Sequence, residues 1–158
     1  MLKKDKFKKV IECVPLVSID LCLIFQESIL LGLRKNEPLK NNWFTPGGRI
    51  LKNEPWDKCI SRIASLELGL REYHPRDFKL MGIWDHFYEN SLVSKNISTH
   101  YVNLPHYLKL HEKPKLKKDS QHSKLEWFKL KEICESNCFH QYIKNYASWL
   151  LKADIISS

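Results

Sequence analysis

Residues 46–70 read PGGRILKNEPWDKCISRIASLELGL, and this stretch decides the fold. Pro46-Gly47-Gly48 is a sharp punctuation after Trp43-Phe44-Thr45. Proline suits the first turn of a helix and glycine its end, so Pro55 and Gly69 predict a helix over Trp56–Leu68. Ile60, Ile63, Ala64 and Glu67 fall at i, i+3, i+4 and i+7 and share one face of it. Three of them are apolar, so the face is read as buried, with Glu67 at the end of a core-facing stripe. A buried carboxylate without a partner is costly. A metal ion or an arginine would satisfy it; a rim position reaching solvent is the alternative.

Upstream, Val17, Ile19, Leu21 and Leu23 alternate with Ser18, Asp20, Cys22 and Ile24, a period of two that predicts a strand. Gln26-Glu27-Ser28 reads as a turn and Ile29–Leu33 as the second arm of a hairpin. A short helix is expected over Lys4–Cys13, stopped before Pro15, and a loop over Lys35–Asn42. Downstream, Phe78–Tyr88 and Thr99–Leu110 read as strands separated by a polar loop at 89–98. Leu125–Phe128 reads as a short strand, followed by helices near Lys131–Asn137 and His140–Leu151. Strands, an inserted helix, more strands and closing helices make an α+β chain with a mixed sheet.

The length, 158 residues, fits one domain, and 43% hydrophobic with 28% charged residues is a globular composition. No apolar run approaches the ~20 residues needed to span a bilayer. The basic start MLKKDKFKKV is followed by Glu12 and Asp20 without a small-residue cleavage site, unlike a signal peptide. The five cysteines, Cys13, Cys22, Cys59, Cys134 and Cys138, are odd in number and scattered. They are read as ordinary thiols of a reduced, cytoplasmic chain. Only Cys134 and Cys138, four apart on an expected helix, have a spacing that would suit a metal.

The formal net charge is +8 and the cations are lopsided, 21 Lys against 5 Arg. Nucleic acid, an anionic membrane surface and a small polyanionic substrate would each suit such a charge. The lysine clusters at 3–9 and 113–118 do not interleave aromatics as a single-strand binder would. They are read as a solvated surface, with neither nucleic acid nor membrane as partner.

The spacing in the opening stretch resembles the Nudix signature G-x5-E-x7-R-E-U-x-E-E-x-G-U, with U aliphatic. Gly48, Glu54, Arg62, Glu67, Gly69 and Leu70 match it, whereas the glutamates expected at 63 and 66 are Ile63 and Leu66. That defect resembles the GDP-mannose mannosyl hydrolase subfamily, which lacks those glutamates. PLVSID (15–20), LLGLRKNEP (30–38), NWFTPGGR (42–49), GIWDHFY (82–88), THYV (99–102) and Gln121-His122 extend the resemblance over most of the chain. It matches only loosely after about residue 130.

The resemblance implies a Nudix-type α/β/α sandwich, with the short helix at 4–13, the signature loop and helix at 47–70 and a helical region at 130–152. It implies hydrolysis of GDP-mannose, or a related GDP-hexose, to GDP and free sugar by inverting attack of water at the anomeric carbon. Mg²⁺, with Mn²⁺ as a substitute, would be held by Glu67, Gln121 and the carbonyl of Gly47; an all-oxygen set suits a hard cation. His122 would be the general base, its ordinary pKa of ~6.5 being close to working pH. Arg34, Arg49 and Arg62 would face the diphosphate or its surroundings, since guanidinium pairs with phosphate oxygens and keeps its charge; for Arg62, organising the loop and its carboxylates is the alternative. Tyr101 would donate to the leaving group, and Asp20 and His86 would contact the sugar. A homodimer and a role in polysaccharide biosynthesis are also implied. Two rival readings stand beside this: an ordinary Nudix hydrolase cutting the P–O bond, and a GDP-sugar binder without activity. Phe7 is a candidate for stacking on guanine, Glu54 is read as structural, and Trp43 and Trp84 as core.

Overall fold

In the computed structural model, which describes residues 3–117 and 122–156, the fold is organised by one strand, β1, Leu16–Phe25. Its sequence is apolar on both faces, and nine of its ten residues are wholly or partly removed from solvent. A strand covered on both faces reads as an almost continuous apolar run, as LVSIDLCLIF does.

Helix α1 is Lys4–Cys13, and β2 is Ser28–Arg34. The short strands β3 and β4 are Trp43–Phe44 and Gly47–Arg49, and α2 is Trp56–Leu68. Then come β5, Lys79–Leu80; β6, Trp84–Tyr88; β7, Thr99–Asn103; and β8, His106–Leu110. The chain closes with β9, His122–Lys129, α3, Leu130–Glu135, and α4, Gln141–Lys152.

The first half of β1 pairs antiparallel with β4 and parallel with β7. Its second half pairs antiparallel with β2 and parallel with β8. Strand β9 runs antiparallel along β2, and β6 lies outside β7. Ile19, Leu21, Leu23 and Leu30 pack on Cys59, Ile60, Ile63, Ala64 and Leu68 of α2. The opposite face, Cys22, Ile24, Ile29 and Leu31, packs on α3 and α4 through Leu130, Ile133, Ile143, Tyr146, Ala147 and Leu150. The mixed sheet is therefore sandwiched between helices in one domain.

Helix α2 has the expected bounds. Gly69 adopts φ 71°, and the N–H groups of Gly69 and Leu70 donate to Ser65 and Ala64 carbonyls, closing the last turn. The expected strand Phe78–Tyr88 is broken at Gly82, whose φ of 142° breaks it into β5 and β6. Thr99–Leu110 is broken at Leu104-Pro105: proline has no N–H for a ladder, and here the chain passes from the first half of β1 to the second. Strand β9 is longer than expected. Helix α3 stops at Glu135, so Cys138 lies beyond it and does not share a helical face with Cys134. All five cysteines are unbridged. No helix among the described residues is long and apolar enough to cross a membrane.

Candidate active site

The site begins at the glycine turn. Leu21 N–H donates to Pro46 O and Ile50 N–H to Val17 O, so by the alternation of an antiparallel ladder Asp20 and Gly47 form a pair without mutual hydrogen bonds. The N–H and C=O of Gly47 therefore point away from β1. That N–H donates to Glu67 Oε2 at 3.1 Å, and the carbonyl is directed to the same side. Only glycine fits: a Cβ at residue 47 would collide with the Asp20 carboxylate and come within 2.7 Å of the Ile19 carbonyl oxygen.

Glu67 is 6% exposed, and its carboxylate meets the Gly47 peptide at the end of the α2 stripe. Among the described residues, no three His, Cys, Asp or Glu side chains converge as a metal site. One carboxylate beside one carbonyl fits a cation that takes most of its ligands from water and substrate phosphate, which is the habit of Mg²⁺. Gln121, the third expected ligand, lies outside the described residues.

Positions 63 and 66 have diverged in opposite ways. Ile63 is 1% exposed and belongs to the core, whereas Leu66 is 65% exposed. Neither can ligate a cation.

His122 opens β9 and is fully buried. Its imidazole lies over Gly32, where a Cβ would stand 2.6 Å from Cγ. Leu30 packs into the α2-facing core, and Gly32, two residues on, faces the same way. His122 therefore sits on the face that carries α2. It pairs with Arg34 across a register shift in β2.

Arg62 does not stand free for a diphosphate. Its Nε and Nη2 donate to Glu54 Oε1 and Oε2 at 2.6 and 2.9 Å, and Nη2 also donates to the Arg49 carbonyl at 2.8 Å. This fork, with the Leu51 N–H, holds the Glu54 carboxyl at about 2, well below its usual value; the Arg62 hydrogen bond is the main cause. Arg62 thus ties the loop to the helix and fixes the backbone of Arg49. The Arg49 guanidinium lies 4.0 Å over the ring of Phe7, which is 7% exposed, so Phe7 supports an arginine rather than a base.

Arg34, Arg49 and Asp20 lie near enough to Tyr101 for their charges to act on its hydroxyl. Burial pushes the Tyr101 hydroxyl above its ordinary range, opposed by the charges of Arg49 and Arg34 and reinforced by Asp20. Tyr88 is raised likewise, by burial first and then by Asp20. Arg34 Nε donates to the Pro38 carbonyl at 3.0 Å, anchoring the side chain to its own loop.

Asp20 turns toward α4. Its Oδ2 accepts from the Tyr146 hydroxyl at 2.6 Å and from Asn103 Nδ2 at 2.7 Å. Burial pushes its carboxyl up to about 6, against the lowering effect of Tyr146, Asn103 and the Arg34 charge. His86 is 1% exposed, stacks on Tyr142 at 4.0 Å and 6°, and lies 3.2 Å from Asn103 Nδ2. Burial, aided by the nearby His140, pulls its imidazole down to about 4, so it is neutral at pH 7. The structure thus groups Asp20 with His86, Gly47 with Glu67, and Arg34 with Arg49 and Tyr101. It covers His86 with Tyr142, which the sequence reading did not include, and pairs Arg62 with Glu54.

Sequence reading missed Gly32, Asn103, Tyr142 and Tyr146. A glycine inside a strand signals a close approach, and Gly32 in LLGLR is one. Tyr146 stands on the stripe Ile143, Tyr146, Ala147, Leu150, and a buried tyrosine calls for a hydroxyl partner. Nothing in the sequence marks Asn103.

Comparison with known proteins agrees with this architecture. A family model described as NUDIX domain matches residues 15–150. Low-salt glycan biosynthesis protein Agl8 of Haloferax volcanii is 34% identical over 145 residues, 90% of this chain and 86% of that one. Among solved structures, a MutT NUDIX hydrolase from Burkholderia pseudomallei superposes with a TM-score of 0.70 at 20% identity, over 87% of this chain and 98% of that one. The NUDIX domain of Shewanella oneidensis NrtR, solved with ADP ribose, gives 0.66 at 13% identity over 97% and 99%. The chain belongs to the NUDIX family. Hydrolases of this family generally use a divalent metal such as Mg²⁺.

Proposed function

We propose that this protein hydrolyses GDP-mannose, or a related GDP-hexose, to GDP and free sugar by inverting attack of water at the anomeric carbon. One observation carries the reading. The signature helix brings a single glutamate, Glu67, to the glycine turn, while positions 63 and 66 are apolar. Attack at phosphorus with an activated water calls for more carboxylates than that; leaving-group departure from carbon needs chiefly charge neutralisation. The glycan-biosynthesis name of the Haloferax volcanii relative supports a sugar-linked substrate.

In this mechanism water oxygen bonds to C1 as the C1–O bond breaks, and the bonding pair leaves with the β-phosphate of GDP. His122 takes the proton from water; its burial keeps bulk solvent from competing. Arg34 and Arg49 meet the developing phosphate charge, and Tyr101 donates to the leaving group. A bound Mg²⁺, held by Glu67, Gln121 and the Gly47 carbonyl, would neutralise the same charge. Asp20 accepts from a sugar hydroxyl. The resemblance also implies a homodimer, which light scattering of the purified chain checks.

The test is turnover of GDP-mannose with Mg²⁺ in ¹⁸O-labelled water. Label in the sugar, with the β-anomer appearing first, is expected. Label in phosphate, or mannose 1-phosphate with GMP, would replace this reading with ordinary P–O cleavage, and tight binding without turnover would make the protein a binder.

A further inference from the structure

The C-terminal helix carries two tyrosines into the sugar side of the site. Tyr146 is wholly buried, its ring packed in the core under α3 and α4 and its hydroxyl held by Asp20. Its hydroxyl and the Asn103 amide both donate to the same oxygen of Asp20, Oδ2. The other oxygen, Oδ1, faces Gly47, occupying the space that a Cβ there would need. Gly47 is the residue whose N–H meets Glu67. The two donors therefore commit Oδ2 to the fold and leave Oδ1 beside the glycine turn.

Tyr142, one turn earlier, acts on the neighbouring group. Its ring covers His86, and its hydroxyl accepts from the Phe87 N–H at 2.8 Å and lies 3.1 Å from the Phe87 carbonyl, clamping β6 to α4. Asn103 links the two halves, with Nδ2 2.7 Å from Asp20 Oδ2 and 3.2 Å from His86 Nδ1. An amide nitrogen only donates, so His86 Nδ1 is the acceptor and its proton sits on Nε2.

We propose that Tyr146 is a positioning residue for sugar recognition. Acting through the hydroxyl it gives to Asp20, it turns Oδ1 of that carboxylate toward the hexose and so sets the preference for a sugar nucleotide over the bare nucleotide. The proposal rests on the GDP-hexose reading above. It gives the C-terminal helix a role in selectivity.

The experiment measures Kd for GDP and for a GDP-mannose analogue with methylene in place of the glycosidic oxygen, both with Mg²⁺. The ratio of the two reports the sugar alone. Tyr146→Phe keeps the ring in the core and removes the hydroxyl. It is expected to lower the preference for the sugar nucleotide by about 10-fold, the scale of one hydrogen bond to a charged group, with GDP affinity unchanged. In an Asp20→Asn background the same substitution should change the ratio little, because the two residues act as one unit. Asn103→Ala, which removes the other donor to Oδ2 without touching α4, should lower the ratio in the same direction and serves if Tyr146→Phe does not fold. An unchanged ratio in the folded variants, or effects that add to those of Asp20→Asn, overturns the proposal. A parent protein that binds GDP and the analogue equally overturns the sugar reading as well.

Discussion

The imidazole of His122 rests on Gly32, so closely that a Cβ on residue 32 would lie 2.6 Å from Cγ and 3.0 Å from Nε2. The contact gives the proposed base one position, set by the strand beside it. Gly32→Ala should therefore lower kcat, and His122→Gln should lower it by ~10²–10⁴, as for a lost general base. Steady-state kinetics on GDP-mannose checks both; full activity in the folded His122→Gln variant would remove that role.

Glu67 and the Gly47 peptide share one corner. Chelation by EDTA should abolish turnover, and Mg²⁺ should restore it. Glu67→Gln should raise the Mg²⁺ concentration for half-maximal rate by at least ~10-fold, the scale seen even for groups one step removed from a metal. A Mg²⁺ titration of the variant decides this, and an unchanged midpoint would exclude Glu67 as a ligand.

Arg62 is clamped to Glu54 and to the Arg49 carbonyl. Arg62→Ala should cost about 1 kcal/mol of stability, a modest figure because the pair is partly exposed. It should also raise KM by loosening Arg49, while leaving the metal requirement alone. Thermal unfolding together with KM checks this. A direct phosphate contact would instead depress kcat without lowering Tm.

Asp20 and His86 tie stability to pH with opposite signs. Asp20 has its folded pKa raised to about 6 from 3.8, so its contribution is fully present below pH 3.8 and is lost as pH rises through 6. His86 has its folded pKa lowered to about 4 from 6.5, so its contribution is present above pH 6.5 and is lost as pH falls through 4. Between these limits the two slopes largely cancel. Asp20→Asn removes one of them, and the variant should lose up to about 1.4 kcal/mol more per pH unit of acidification than the parent. Denaturant midpoints at a series of pH values check this; parallel curves would contradict it.

Much of the architecture was legible because it is written in local periodicity. The alternation in β1 and the bounds of α2 need only neighbouring residues, and Glu67 declares itself by breaking an apolar stripe. Breaks were harder to read. Gly82 and Pro105 end strands because of where the chain must go next, from one half of β1 to the other. The sugar side was least legible. Asp20 and His86 were singled out by resemblance, but Asn103 and Tyr146 matter through contacts 83 and 126 residues distant along the chain from Asp20. No window of sequence contains such a pair. Arg62 was open to two readings for the opposite reason: a guanidinium suits phosphate and carboxylate equally, and here Glu54, eight residues away, holds it.

The link between Asp20 and Tyr146 spans most of the chain, and both parallel partners of β1 lie more than 70 residues downstream of it. Such distant pairings form slowly, because the intervening chain must be closed before any contact is gained. On a ribosome, the first strand of the site is made early but waits for the last helix before its key carboxylate has a fixed orientation. Activity should therefore appear only after the segment carrying Tyr146 has left the ribosome and packed on β1, and a chain still lacking that contact should be unable to draw on the cellular pool of its substrate.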